Sequence, residues 1–157
     1  MNEGKQALRI DIREANGRAL QAMRAFSDSQ AAGTLDRGLR ELIHVRASQI
    51  NGCAFCLEMH TREAREHGEE EHRLHLLSVW REAPYYSEAE RAALELTEAV
   101  TRIGDGGVPE ALTDRVRQHF SEEQYVDLLM AINIINSWNR LMIAIGAPVP
   151  HRARTNS

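Results

Sequence analysis

At 157 residues the chain is long enough for one well-buried core and short for two. Its 43% hydrophobic and 27% charged residues are ordinary for a soluble globular domain, and a net charge of -4, with no basic stripe or glycine-rich phosphate loop, argues against a nucleic-acid surface. The most apolar stretch, 125–145, is broken by Asn133, Asn136, Asn139 and Arg140, so no membrane-spanning run is expected, and the opening MNEGKQALRIDIRE is too charged for a secretory signal.

The first expected element is a helix over 7–29, with Ile12, Ala15, Ala19, Met23 and Phe26 on one stripe and Gly17 weakening it. Gly33-Thr34 makes a turn. Asp36 then caps a second helix, whose inner edge is Leu39, Leu42, Ile43 and Ile50 and which ends near Asn51-Gly52. A third helix starts at Asn51 or Gly52 and closes at His67-Gly68, a basic residue followed by glycine. Residues 70–81 form a short helix with Leu74, Leu77 and Trp80 inward, stopped by Pro84; the acidic run 69–71 is its solvated start. Ser87 with Glu90, and Ser121 with Gln124, have the spacing of capping boxes. The first opens a helix over 88–103 with Ala92, Leu96, Ala99 and Ile103 in register, and the second opens one reaching about Ile145. Between them lie a glycine-rich loop over 104–107 and a helix with Pro109 in its first turn, reaching about His119. The last helix is apolar nearly all round, which places it in the core or at a subunit contact. Gly146, Pro148 and Pro150 end it. No segment alternates with the period of a strand. The expected fold is all-α, about six or seven helices in one domain over 1–150, followed by a loose tail over 151–157.

Both cysteines of the chain, Cys53 and Cys56, lie three apart at the start of the third helix, with His60 one turn further on. In that first turn the unpaired backbone N–H groups and the helix macrodipole favour a thiolate, the reactive form of the side chain. One turn also brings the two sulfurs close enough to close a disulfide and reopen it. A working dithiol suits a reducing cytoplasm better than a structural staple does. A free imidazole gains and loses its proton near working pH, so His60 is placed to exchange a proton with Cys56, directly or through a water. Glu41, one helix earlier, could reach His60 and fix its tautomer, and otherwise reads as a surface glutamate. A competing reading is a zinc site of Cys53, Cys56, His60 and one of His67, His72 or His75. Arg46 is open between a partner for Glu41 and a subunit contact. Trp80 and Trp138 read as core or interface anchors, while Asn133, Asn136 and Asn139 would satisfy helix ends or a neighbouring subunit, or line the site.

The stretch LRELIHVRASQINGCAFCLEMHTREAREHG, with Glu41, the Cys53-x-x-Cys56 pair and His60 in order, resembles the core of the alkylhydroperoxidase D (AhpD) family of the carboxymuconolactone decarboxylase-like superfamily. The downstream LSVWREAPYYSEAERAALELTEAVT and INIINSWNRLMIA are similar to small members of that family, so the resemblance covers about residues 15–147. It implies an AhpD-like helical fold with the cysteine pair at the N-terminus of a central helix, and a homo-oligomer, commonly a trimer or hexamer. It also implies a thiol peroxidase or disulfide reductase activity with no metal and no bound cofactor. Carried over by position, Cys56 would attack the peroxide, Cys53 would resolve, and His60 with Glu41 would relay the proton; helix position alone favours Cys53 as the nucleophile. Larger members carry a histidine where this chain has Phe55, which leaves the relay one member short. The decarboxylase branch lacks the cysteine pair.

The expected activity is therefore a cytoplasmic, thiol-dependent reduction of organic hydroperoxides, with a lipoyl group, a thioredoxin-like protein or a small thiol as reductant. The rival is a redox sensor or binding module that uses the same dithiol switch without turnover. No nucleic-acid or membrane partner is expected.

Overall fold

The structure, a computed structural model, describes residues 8–150, so the start of the first expected helix at residue 7 and the tail over 151–157 lie outside the described residues. Seven α-helices and no strand occur among the described residues. They are α1 (Ile12–Asp28), α2 (Arg37–Asn51), α3 (Ala54–Glu66), α4 (Glu71–Leu76), α5 (Glu88–Thr101), α6 (Glu110–Arg117) and α7 (Glu122–Ile145). Short 3-10 turns follow α1, α4 and α5.

Helix α2 is the hub, packed against α3, α5 and α7. Every residue from Glu41 to Ser48 is buried, polar ones included, because neighbours cover the helix on all sides. A helix in that position carries no readable apolar stripe. Leu39 and Ile43 of α2 meet Leu96 of α5 and Leu128 and Ile132 of α7 in one cluster. Leu42 and Val45 meet Leu74, Leu77, Trp80 and Leu94 in a second. The third cluster, Ala47, Cys53, Cys56, Ile135, Met142 and Ile145, puts both sulfurs between α2 and α7. Each fully buried Leu or Ile contributes about 1.5–3 kcal/mol, so the cysteines sit in a wall that does not open easily.

Local signals set the boundaries. Asp36 caps α2 through the Leu39 N–H, and both expected capping boxes form, Ser87 with Glu90 and Ser121 with Gln124. Gly52 ends α2 in the left-handed region (φ +67°), and the chain turns at once into α3 with Cys53 as N-cap. Other expectations need correction. Along α1 the buried residue is Leu20, while Ala15 and Ala19 are exposed, because the backbone leaves the helix at Asn16 (φ -158°, ψ 76°) and rotates the stripe. Helix α5 stops at Thr101, so Ile103 is 60% exposed rather than in register. Pro109 is the N-cap of α6, one position earlier than its first turn. Arg46 pairs with Glu98 of α5 (Nε to Oε1, 2.8 Å) and not with Glu41. Helix α7 is, by length and composition, able to cross a membrane, contrary to expectation; half of that stretch is buried here against the other helices.

Candidate active site

As N-cap of α3, Cys53 points its sulfur back at the helix, and its Sγ accepts the Cys56 backbone N–H at 3.4 Å. Both thiols are free and buried. The hydrogen bond from the Cys56 thiol holds the Cys53 pKa down to about 6; burial opposes this, and the Cys56 N–H, the Asn139 amide and the charge of His60 add to it. The same bond and burial push Cys56 well up. The pair thus shares one proton and one charge, with the charge resting on Cys53.

The donor from α7 is fixed by a network that the sequence reading did not assemble. Asn51, the last residue of α2, donates through Nδ2 to Oδ1 of both Asn136 and Asn139, at 2.9 Å each. With its oxygen engaged, Asn139 turns its amide nitrogen to Ser48 Oγ (3.0 Å) and to the two thiols. Asn136 donates to Thr101 Oγ1 (2.9 Å), whereas Asn133 is exposed and bonds only the Leu129 carbonyl of its own helix. The three asparagines therefore divide, and only Asn139 reaches the sulfurs.

Beside the dithiol, Glu41 of α2 and His60 of α3 meet as expected, with Nδ1 of the ring 3.0 Å from the Glu41 carboxylate. Glu63 carries a second carboxylate 3.6 Å from the same nitrogen. Sequence reasoning missed His44, one turn along α2 from Glu41, in a stretch buried on every side. Its ring lies 4.5 Å from that of His60, and its Nε2 sits 3.1 Å from Oε1 of Gln30. Burial, then His60 and Arg40, lower its pKa well below the usual histidine value, so it is neutral. Its Nδ1 has no hydrogen-bond partner among the described residues. One donor atom each from Glu41, His44 and His60 lies within 4.8 Å of the others. The three further histidines of the expected zinc site, His67, His72 and His75, are all exposed and share no cluster with the buried sulfurs.

A cavity of about 540 Å³ opens onto His44 and His60, with Leu20, Ile135, Trp138 and Met142 among its walls. A smaller one, about 150 Å³, reaches Cys53. Phe55 and Met142 line both, so Phe55 forms part of the partition.

Among solved structures, the fold is similar to a protein of unknown function from Agrobacterium tumefaciens described as an AhpD antioxidant defence protein. The identity is 40%, the TM-score 0.90, and the match covers 93% of this chain and 100% of that one. An uncharacterized peroxidase-related protein from Ralstonia eutropha JMP134, with an alkylhydroperoxidase AhpD core, shares the fold (24% identity, TM-score 0.77, covering 88% of this chain and 74% of that one). In sequence, the uncharacterized protein YdfG of Bacillus subtilis is 47% identical over 138 residues, 88% of this chain and 94% of its own length. The Carboxymuconolactone decarboxylase family matches residues 17–99, a span that holds the dithiol, His60 and Glu41. The chain is therefore a member of the carboxymuconolactone decarboxylase family, with an AhpD-like fold and a Cys-x-x-Cys pair at Cys53 and Cys56.

Proposed function

We propose that the chain is a dithiol peroxidase that reduces organic hydroperoxides. One observation carries the reading: a buried dithiol with a single stabilised negative charge stands beside the Glu41–His60 pair. In this scheme Cys56 passes the shared proton to Cys53 along their hydrogen bond and attacks the terminal peroxide oxygen. The O–O bond breaks, and the leaving alkoxide takes a proton from His60 and departs as an alcohol. The resulting sulfenic acid on Cys56 is attacked by Cys53, the S–O bond breaks, and water leaves as the disulfide closes. Two electrons have gone from the dithiol to the peroxide. An external dithiol, a lipoyl group or thioredoxin-like protein, returns them by exchange, and Glu41 holds His60 in the tautomer the proton transfer needs.

The mostly apolar cavity beside His60 supports an organic rather than an inorganic peroxide. The exposed Val126, Met130 and Ile143 along α7 support a homo-oligomer, a trimer or hexamer, and the free dithiol supports a cytoplasmic setting. The test is turnover of cumene hydroperoxide with a dithiol reductant. Wild type should cycle repeatedly and Cys56→Ser should not; a wild type that oxidises once and never turns over leaves a redox switch and no peroxidase.

A further inference from the structure

We propose that Glu41, His44 and His60 form a binding site for a divalent d-block cation, such as zinc, and that occupying it takes His60 and Glu41 out of the proton relay. The inference shares those two residues with the peroxidase reading but rests on His44, which that reading leaves without a task. Two imidazoles and one carboxylate, with room for a further ligand, are a donor set that zinc and its first-row neighbours favour.

The arrangement of His44 is that of a ligand awaiting an ion. Its Nε2–H donates to Gln30 Oε1 at 3.1 Å, which fixes the tautomer and leaves the Nδ1 lone pair free. That nitrogen is buried, has no hydrogen-bond partner among the described residues, and stands 3.9 Å from Oε2 of Glu41, beyond hydrogen-bonding reach. A residue only 5% exposed with such an unmet atom bears a cost that an ion would remove. On the other side of the carboxylate, His60 Nδ1 is 3.0 Å away. Donors on one zinc at bonds of about 2.0–2.2 Å lie roughly 3–3.5 Å apart, so small side-chain rotations close the site.

The carboxylates at the donor atoms and the access from the cavity agree. Two carboxylates, Glu41 and Glu63, lie close to His60, while Arg40 is near His44 and Arg13 and Arg24 line the same cavity. Both imidazoles line the larger cavity, which offers an entry path and an open coordination position. Binding requires the proton between His60 and Glu41 to leave Nδ1, for Nε2 or for solvent. A bound ion and the relay are thus mutually exclusive.

The thiols would themselves take zinc, so the deciding measurement uses the Cys53→Ser/Cys56→Ser protein, stripped with chelator. Zinc titration by calorimetry should give one ion per chain. His44→Gln, placed on that background, keeps a polar group near Gln30 but removes the Nδ1 ligand. It should weaken binding by at least about a hundredfold with an unchanged melting temperature, and Glu41→Gln should do the same. Cobalt bound to the otherwise wild-type chain at substoichiometric load should show ligand-field bands without thiolate charge transfer. In the metal-free wild type, zinc should slow peroxide turnover, and His44→Gln should raise the zinc concentration needed for that inhibition, the remainder being zinc on the thiols. The proposal is overturned if the double-serine protein takes no zinc saturably, if binding survives His44→Gln, or if cobalt goes to sulfur. Turnover by metal-free protein that takes no zinc overturns this inference alone, and zinc binding without turnover overturns the peroxidase reading alone.

Discussion

Replacing Asn139 by leucine, which branches at Cγ in the same way, removes the one side-chain amide that α7 gives to the dithiol. Asn139 is fully buried, accepts from Asn51 and donates to Ser48 and to the sulfurs. A hydrogen bond to a charged group is worth about 1.5–3 kcal/mol, so losing it should raise the Cys53 midpoint by roughly one to two pH units. From about 6, that carries the thiol to the far side of neutrality. At pH 7 the thiolate fraction should fall from most of the protein to a minority. Stability should also drop, by about 1–3 kcal/mol for each buried group left without a partner, chiefly Ser48 Oγ, since Asn51 keeps its bond to Asn136. The assay is the pH dependence of iodoacetamide alkylation, with mass spectrometry to identify the labelled cysteine and urea unfolding alongside. Cys53 should be alkylated first in both proteins. A midpoint that stays put in a folded, destabilised variant would refute the reasoning and leave the Cys56 thiol, the start of α3 and His60 to hold the charge.

Glu41→Gln and His60→Ala should each slow peroxide consumption by about tenfold to ten-thousandfold, and the double variant should be little worse than His60→Ala, since either change breaks one chain of contacts; strictly additive effects would sink the relay. The dithiol should also leave a mark on stability. Cys53 has a folded pKa below its unfolded value, so its contribution is complete above about pH 9 and is lost as pH falls through about 6. Cys56 is shifted the other way and subtracts above pH 9. The melting-temperature difference between wild type and the double-serine variant should therefore grow from pH 6 to 9 and then decline; a flat difference would contradict the assigned charges. Arg46→Ala should cost about 3–5 kcal/mol in urea unfolding because it strips a buried partner from Glu98, although Trp80 and Arg81 still reach that carboxylate. A loss below about 1 kcal/mol would show those two to be sufficient.

What could be read in advance was what is written locally. The capping boxes at Ser87 and Ser121, the cap at Asp36 and the glycine at 146 depend on residues within four of one another, and each stands where the spacing put it. The meeting of Glu41 with His60 was also legible, because a single tight turn joins their helices. His44 was not. It lies in a run of eight buried residues in which polar and apolar side chains are covered alike, so no period marks it out. Arg46 and Glu98 are 52 residues apart, and Asn51 reaches Asn139 across 88, pairings that only the packing of α2 against α5 and α7 decides. Ala15 and Ala19 were misplaced for the opposite reason: one residue, Asn16, breaks a helix that the pattern treats as continuous.

The division of labour between near and far residues gives the dithiol a timetable. The sulfurs, His60 and Glu41 all come from the α2–α3 hairpin, where the farthest link spans 19 residues. The amide that shields the thiolate comes from α7, which meets Ser48 across 91 residues. Closing a short loop is fast and costs little entropy, while the longer connection must wait for the intervening helices. A chain emerging from the ribosome has both residues of the proton-handling pair long before it has Asn139, and until α7 docks its cysteines lack both that donor and the wall formed by Ile135 and Met142. Full thiol activation therefore arrives with the last helix, so that completion of the fold and readiness to react with an oxidant are one event.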